Sequence, residues 1–239
     1  MPQFFVSSNN IKGNICYLTG EELHHLKSVR RIKVDDEILI ITESNDRMKV
    51  KIFEIQDDLL KAEVLYSVTL EKPAVDIHIY IALLKGKNFD VAIQKAVEVG
   101  VSSITPIICE RTIPKIEGKA EQKMIRWKKI SVEAAKQSLR SDIPEFYPVK
   151  KIEDILSMDT EMKIIAHPHD APTKELRQQL QGKSTVHLLI GPEGGFSHQE
   201  IIAAKKTGWQ LFNFGFSAMR AETAAAVLSA ICIYELLQQ

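Results

Sequence analysis

The stretch from Leu188 to Glu200 constrains the fold more than any other part of the chain. An apolar run ends at Ile190, three glycines follow within five residues, and Ser197 then stands three positions before Glu200. This Ser-x-x-Glu spacing is typical of a helix capping box. The stretch therefore predicts a strand, a tight loop and a helix. In an open α/β sheet such a loop lies at the carboxyl end of a strand, where ligands bind.

The glycine loop is a poor phosphate cradle. Pro192 has no N–H to donate, and Glu193 adds negative charge. The pattern favours a nucleoside-like or cationic ligand, because the glycines allow a close approach to the backbone. A connector whose glycines serve only the geometry of the turn is the alternative.

Strands and helices alternate along the chain from residue 75 onward. Residues 75–84 become continuously apolar, as in a strand buried on both faces, and Gly100 is a suitable stop for the helix that follows. A strand at 104–109, a helix at 119–139 and strands at 163–167, 186–190 and 209–214 come next, with helices expected from about 172 and 220. This alternation predicts a parallel sheet with helices on both faces.

Residues 1–70 have a different pattern. Residues 49–52 and 61–66 alternate charged and apolar side chains, as half-buried strands do. Residues 44–46 separate two apolar runs, as a hairpin turn would. This part predicts a small β-barrel or sandwich with a short helix near 20–27, and the polar segment around Pro73 marks the start of a second domain over 73–239.

Composition sets limits on partners. The 31 Lys and Arg residues balance 31 Asp and Glu residues, so a nucleic-acid partner would have to meet a local basic patch. Residues 24–33 are the best such patch in the first domain, although a solvated helix face has the same composition. Residues 126–140 offer a second basic group with the same alternative.

Three isolated cysteines favour neither a disulfide framework nor a zinc site, and no other metal-ligand spacing occurs. We therefore expect no metal and a reducing, cytoplasmic location. No signal peptide is evident, and the apolar run at 223–234 is too short to span a bilayer, so we expect no membrane partner.

A parallel sheet would gather at one edge the residues that follow each strand. These are Lys85–Lys87, Arg111, His167, Gly191–Gly195 and Gly215–Arg220. Two glycine-bearing loops at this edge could hold a nucleoside through backbone groups, against an apolar wall of Phe214, Phe216 and Met219. Arg220 stands at the start of a helix, where a cation opposes the helix dipole, so we expect a ligand or partner for it. Glu222 is favoured there by the dipole alone.

Four motifs in order resemble the RsmE family of SPOUT-class methyltransferases. They are His24–Leu26 before Val29–Arg31, Glu133–Ser138 with Arg140, Gly191–Ser197, and Gly215 with Met219–Ala224. The resemblance covers nearly the whole chain. These enzymes use S-adenosyl-L-methionine to methylate N3 of a uridine in 16S ribosomal RNA of the small ribosomal subunit, with S-adenosyl-L-homocysteine as the product.

The resemblance implies a particular architecture. An N-terminal PUA-like β-barrel that binds RNA over 1–70 precedes a SPOUT α/β domain over 73–239 with a parallel sheet and a C-terminal trefoil knot. It also implies a homodimer that holds the cofactor near the subunit interface, and it suggests the assembled small subunit rather than naked RNA as substrate.

Matching the motifs assigns roles to individual residues. Cofactor binding is expected of His167, Ile190, Gly191, Glu193, Gly194, Gly195, Phe214, Gly215 and Met219. Catalysis is expected of Arg220, which would stabilise the uracil anion, with Glu222 as one possible general base. RNA contacts are expected of His25, Arg30, Arg31, Lys85, Arg111, Arg126 and Arg140.

The chain departs from the family at two positions. It has Ser217 where members commonly carry an additional arginine, and Asp35 where they commonly carry glycine. Two other functions are therefore carried as alternatives. One is an RNA-binding protein that keeps the fold and has lost catalysis, and the other is a SPOUT methyltransferase that acts on transfer RNA.

Overall fold

The protein is described from a computed structural model. The described residues are 3–30, 32–42, 44, 46–68, 75–116, 118, 120–138, 140, 142–168, 176–213, 215 and 217–238. The chain divides into two compact units, 1–72 with 136–143 and 73–135 with 144–239. The division after residue 72 lies next to the predicted boundary. The inclusion of 136–143 in the first unit has no counterpart in the sequence pattern.

The first unit contains one six-stranded sheet. Its strands are β1 (Gln3–Val6), β2 (Ile11–Lys12), β3 (Ile15–Leu18), β4 (Glu37–Thr42), β5 (Arg47–Ile55) and β6 (Leu60–Ser67). Their order is β1-β4-β5-β6-β3-β2, with β1 parallel to β4 and the other neighbours antiparallel. The helix predicted near 20–27 is α1 (Gly20–His25) followed by a π-helical turn (Leu26–Arg30).

Alternation along β5 builds the core of this unit. Val50 and Ile52 are fully buried beside Ile38 of β4. Lys49, between the inward positions, points outward and pairs with Glu37 at 2.6 Å. The half-buried strand predicted from the charge alternation is therefore confirmed.

Asp35 has a left-handed backbone conformation, with φ of 74°. It lies in the turn before β4, where the backbone N–H of Lys33 donates to Oδ2 of Asp36 at 2.7 Å. Glycine adopts this conformation freely, and aspartate tolerates it better than most residues with a Cβ. The exposed Asp35 carboxylate also pairs with Lys51 at 2.8 Å. The backbone conformation at position 35 thus explains why aspartate can stand where family members commonly carry glycine.

From residue 75 the chain alternates strands and helices. The strands are β7 (Asp76–Ala82), β8 (Ser103–Ile108), β9 (Glu145–Phe146), β10 (Lys150–Lys151), β11 (Lys163–Ala166), β12 (Thr185–Ile190) and β13 (Gln210–Phe212). The helices are α2 (Asn88–Val99), α3 (Ala120–Gln137), α4 (Ile152–Leu156), α5 (Leu176–Leu180), α6 (His198–Lys206) and α7 (Ala221–Leu237). The strand order is β10-β8-β7-β12-β11-β13, with β9 also on the edge of β8, and all pairs are parallel.

Helices cover both faces of this sheet, as predicted. On one face, Tyr80, Leu189 and Ile165 form a buried cluster with Ile155 of α4 and Ile201 of α6. The alternate residues of the strands, such as the fully buried Ile79, point to the opposite face of the sheet. On that face α7 packs on β7 and β12 and against α2. The continuous apolar run predicted for β7 follows from burial on both sides.

Several element boundaries differ from prediction. The long helix ends at Gln137, and the strand predicted over 209–214 ends at Phe212. The helix expected from about residue 172 begins, in the described part of the chain, at Leu176, and residues 169–175 lie outside that part. Gly100, with φ of 118°, ends α2 as predicted. The trefoil knot stays a prediction.

Candidate active site

The parallel strands of the second unit end at one edge of the sheet, and a cavity of about 690 Å³ opens there. This volume is typical of small-molecule sites. The walls come from the segments after β8, β11, β12 and β13 and from the first residues of α2 and α7. The lining residues are Asn88, Arg111, Ala166, His167, Pro168, Ile190–Phe196, Asn213, Ser217–Glu222 and Ala224. Two predicted loops, after β12 and β13, therefore meet.

The loop after β12 needs its glycines for two different reasons. A Cβ on Gly191 would lie 2.9 Å from Cε2 of the buried Phe196 ring, so a side chain does not fit. Gly195 has φ of 67°, which other residues rarely adopt. The capping box follows as predicted, since Ser197 N donates to Glu200 Oε2 at 2.7 Å and Glu200 N donates to Ser197 Oγ at 3.3 Å.

Two side chains tie this glycine loop to neighbouring segments. Nη1 of Arg111, after β8, donates to the carbonyl oxygen of Gly194 at 3.0 Å. Oε1 of Glu193 accepts from the backbone N–H of Lys85, after β7, at 2.8 Å. Both side chains that were expected to contact ligands or RNA thus also contact the main chain of the protein.

Asn213 organises the second loop. Its Nδ2 donates to the carbonyl oxygen of Pro168 at 3.1 Å, and its Oδ1 accepts from the N–H of Gly215 at 2.9 Å. Gly215 has φ of 103°, a left-handed backbone conformation that favours glycine at this turn. The loop then brings Ser217 and Met219, both exposed, to the cavity wall.

Arg220 and Glu222 lie two positions apart at the start of α7. Arg220 is the residue before the helix, not part of its first turn, and its carbonyl accepts from Ala224 N at 2.8 Å. Its exposed side chain lines the cavity. Oε2 of Glu222 is shielded from solvent and has no hydrogen-bond partner among the described residues. Because a shielded polar atom without a partner is costly, this oxygen marks a place where a ligand would donate.

The expected RNA contacts of the second unit have different surroundings. Lys85 is exposed beside the cavity edge, and Arg111 is part of the cavity wall. Arg126 is exposed on α3 and forms an ion pair with Asp90 of α2.

The expected RNA contacts of the first unit are only partly described. Arg140 is largely enclosed, with 10% of its side chain exposed, and it pairs with Asp142 at 2.6 Å. Arg31 lies outside the described residues, as do the side chains of His25 and Arg30. Phe214, expected at the cofactor in the second unit, is also outside them.

Several lining residues were absent from the expected site, among them Asn88, Phe196 and Asn213. Asn88 is the first residue of α2, Phe196 packs beneath the glycine loop and Asn213 directly follows β13. Asn88 follows the loop after β7 and Asn213 directly follows β13, and these positions could have indicated both residues from the sequence. The role of Phe196 depends on its contact with Gly191, which spacing alone does not indicate.

The cysteine thiols offer no nucleophile. Burial raises the pKa of Cys16 and of Cys232 to about 12, and it raises the pKa of Cys109 as well. These thiols therefore stay protonated at neutral pH. Within the described part of the chain, no three potential metal ligands are grouped, and no helix is both long and apolar enough to cross a membrane.

A family model described as an RNA methyltransferase domain matches residues 71–233. The chain belongs to this RNA methyltransferase family. A second model, for the PUA domain of RNA methyltransferases, matches residues 18–65. The resemblance to RsmE methyltransferases is thereby confirmed, together with a PUA-like first unit and a SPOUT-type second unit.

Relatives within the RNA methyltransferase family match along the whole chain. The ribosomal RNA small subunit methyltransferase E of Mesomycoplasma hyopneumoniae is 32% identical over 234 residues, covering 98% of this chain and 99% of the relative. The protein of the same name from Bacillus subtilis is 29% identical, covering 90% and 88%. The crystal structure of such an enzyme from Neisseria gonorrhoeae, bound to S-adenosyl methionine, has a TM-score of 0.82 at 27% identity and covers 97% of this chain and 96% of its own.

Proposed function

We propose that the protein uses S-adenosyl-L-methionine to methylate N3 of a specific uridine in 16S ribosomal RNA of the small ribosomal subunit. The observation that carries this proposal is the cavity at the carboxyl edge of the sheet, where the Gly191–Gly195 loop meets the loop that ends at Arg220. Homologues named for small-subunit ribosomal RNA methylation support the same target.

The cavity fits a nucleoside-type cofactor. Its volume suits a ligand of that size, and the three glycines of the loop after β12 line it without side chains of their own. Three further lining residues, His167, Ile190 and Met219, were expected to bind the cofactor, and the loop of Phe214 and Gly215 completes the proposed set. When bound, S-adenosyl-L-methionine supplies a methyl group activated by its sulfonium.

Arg220 is proposed to stabilise the charge that develops on the uracil ring. N3 carries a proton and becomes an effective nucleophile only when that proton leaves. The Arg220 guanidinium lines the cavity and forms no ion pair with a described residue, so its donors are available to the uracil carbonyls. A fixed cation at this place lowers the energy of the anion without reorganisation during the reaction.

Glu222 is proposed as the general base that accepts the N3 proton. Its shielded Oε2, without a partner among the described residues, is an acceptor at the cavity wall. The same cavity wall thus offers a carboxylate acceptor at Glu222 and a guanidinium donor at Arg220. That combination matches the N3–H and carbonyl of uracil, whereas cytosine offers no N3–H. Much of the remaining rate enhancement would come from orienting the two reactants.

The target uridine must leave its stack to enter such a cavity, so a single-stranded or flipped nucleotide is proposed. Lys85, Arg111 and Arg126 would hold the neighbouring phosphates from the second unit. His25, Arg30, Arg31 and Arg140 are the proposed contacts of the PUA-like unit.

The protein is also proposed to be a homodimer that packs through α7. Thr223, Val227, Ala230, Tyr234 and Leu237 follow one another at spacings of four and three residues, the repeat of a helix–helix seam. Tyr234 is 63% exposed and Leu237 56% exposed. Since α7 is apolar all round, this stripe is best covered by the same stripe of a second copy. The stripe begins beside Arg220, which puts the cavity near the proposed interface.

Labelled cofactor tests the function directly. We expect methyl transfer to small subunits from a strain that lacks the modification, with 3-methyluridine identified by mass spectrometry of the RNA. Transfer to transfer RNA alone would reassign the target. If calorimetry detects no binding of S-adenosyl-L-methionine, the protein is the RNA-binding alternative and not the enzyme. Naked 16S RNA in a parallel reaction distinguishes free RNA from the assembled subunit as substrate.

A further inference from the structure

Glu193 joins two loops that approach the cavity from different strands. Its backbone belongs to the Gly191–Gly195 loop after β12, while its Oε1 accepts from the N–H of Lys85 at 2.8 Å. Lys85 begins the short segment that leads into α2, and the first residue of α2, Asn88, lines the cavity. One hydrogen bond therefore fixes the cofactor loop relative to Asn88.

Asn88 is placed to contact a second ligand. Its side-chain amide makes no hydrogen bond within the described part of the chain, and its backbone N–H is already bound to the carbonyl of Lys85 at 3.1 Å. The amide offers two donors and one acceptor, which can pair with a pyrimidine carbonyl. Among the polar side chains of the wall, those of Arg111, Glu193 and Asn213 already bond to the main chain, so Asn88 joins Arg220 and Glu222 as a candidate to contact the base.

The link from Glu193 to Lys85 does little for the stability of the unit. The bonded groups are exposed, so water can replace the carboxylate if it is removed. The same hydrogen bond restricts the glycine loop, which has few side chains of its own, together with the Lys85–Asn88 segment. A ligand that orders one loop thus orders the other.

We propose that Glu193 is a positioning residue that couples the cofactor loop to Asn88, so that bound cofactor sets Asn88 to receive the target base. The proposal rests on the function proposed above. In this proposal the binding of the cofactor changes the affinity for the RNA, and Glu193 has a role distinct from direct contact with the cofactor. Coupling between two ligands is reciprocal, so RNA tightens cofactor binding by the same factor.

The test compares Glu193→Ala, Glu193→Gln and Asn88→Ala with the unchanged protein. Glutamine keeps an acceptor oxygen for the Lys85 N–H, whereas alanine has none. Glu121→Ala is the charge-matched control, because Glu121 is exposed on α3 and has no side-chain partner among the described residues. Filter binding measures the affinity for unmethylated small subunits with and without S-adenosyl-L-homocysteine, and calorimetry measures the affinity for S-adenosyl-L-homocysteine alone.

We expect S-adenosyl-L-homocysteine to tighten subunit binding by about fivefold to tenfold in the unchanged protein, in Glu193→Gln and in Glu121→Ala. The factor should fall to about one in Glu193→Ala and in Asn88→Ala, with unchanged melting temperatures. A full coupling factor in Glu193→Ala would overturn the proposed coupling. So would the absence of coupling in the protein without substitutions, if that protein binds both ligands. Either result concerns the coupling alone and not the proposed function. An unchanged protein that does not bind S-adenosyl-L-homocysteine in calorimetry overturns the proposed function as well.

Discussion

The hydroxyl of Tyr80 lies 2.9 Å from Nδ1 of His187, in the interior of the parallel sheet. The His187 ring also stacks on His78, with 4.8 Å between centroids. The pKa of His187 is lowered from 6.5 to about 4, mainly by burial and in smaller part by the charges of His78 and Lys163, while Asp76 opposes them. A neutral imidazole is thus part of the folded state.

This buried histidine predicts a loss of stability in acid. The unfolded chain binds a proton at His187 below about pH 6.5, whereas the folded chain does so only near pH 4, so stability falls as the pH drops through this window. The shift corresponds to roughly 3 kcal/mol. Urea unfolding from pH 4 to 8 should show this slope. It should be much weaker in His187→Gln and unchanged in His198→Gln, whose histidine is exposed. Equal slopes in all three would assign the effect to other groups.

Glycine substitutions separate the needs of the fold from those of the cofactor. Gly195 and Gly182 have φ of 67° and 73°, and a Cβ at either would meet nothing within 4 Å. Alanine at either position should therefore cost a similar free energy of unfolding, about 1–2 kcal/mol. Only Gly195→Ala should weaken S-adenosyl-L-methionine binding in calorimetry, because only Gly195 lines the cavity. Weaker binding in Gly182→Ala would show a general effect of stability.

Arg220→Ala should separate turnover from cofactor affinity. The proposed role of Arg220 is confined to the charge of the transition state, so we expect kcat to fall roughly 100-fold to 1000-fold. The Kd for S-adenosyl-L-methionine should change by less than about threefold. Single-turnover methylation and calorimetry measure the two quantities. Losses of equal size would place Arg220 at the cofactor, and Arg177→Ala, at an exposed arginine outside the cavity, provides the control.

Glu222→Gln should make the protein less active with little change in stability. The amide leaves a polar atom where Oε2 is shielded and unpartnered within the described residues, and the lower cost of burying a neutral group is offset by the lost interaction of the carboxylate with the helix dipole. The substitution removes the proposed base, so turnover should fall by roughly 100-fold and recover in part as the pH rises. Thermal melting and a pH–rate profile test both effects. An unchanged profile would exclude Glu222 as the base.

The stripe on α7 predicts that one charge can break the dimer. Tyr234→Glu places a carboxylate in the proposed seam, where it would be buried without a partner, and should weaken association by about 100-fold. Ile202→Glu, at a side chain 40% exposed on α6, should leave association unchanged. Sedimentation over a range of concentrations measures both. If the protein without substitutions is a monomer, the proposed dimer contact through α7 is wrong.

Features set by neighbouring residues could be predicted from the sequence. The Ser197–Glu200 capping box and the end of α2 at Gly100 depend on contacts within one turn, and both are confirmed. The parallel sheet followed from strand–helix alternation in the same way. Local patterns therefore identified the edge of the sheet that carries the cavity.

Features that join distant segments could not be predicted in this way. The bond from Glu193 to Lys85 and the ion pair of Arg126 with Asp90 link residues far apart in sequence, and each side chain also has a plausible solvated state. Arg126 looked like a free surface charge because its partner Asp90 lies far away in sequence, and Arg140, whose partner Asp142 is close in sequence, is enclosed by the fold. Their surroundings became visible only with the tertiary structure.

The residues that line the cavity lie far apart in the sequence, and this has a consequence for folding during synthesis. Asn88 opens α2 and Glu222 opens the last helix, so a growing chain can pair most strands of the sheet before the second loop exists. A ligand stabilises only a conformation that already holds its site. The newly made protein must therefore fold on its own contacts, and the cofactor can protect it from unfolding only after translation has passed the start of α7.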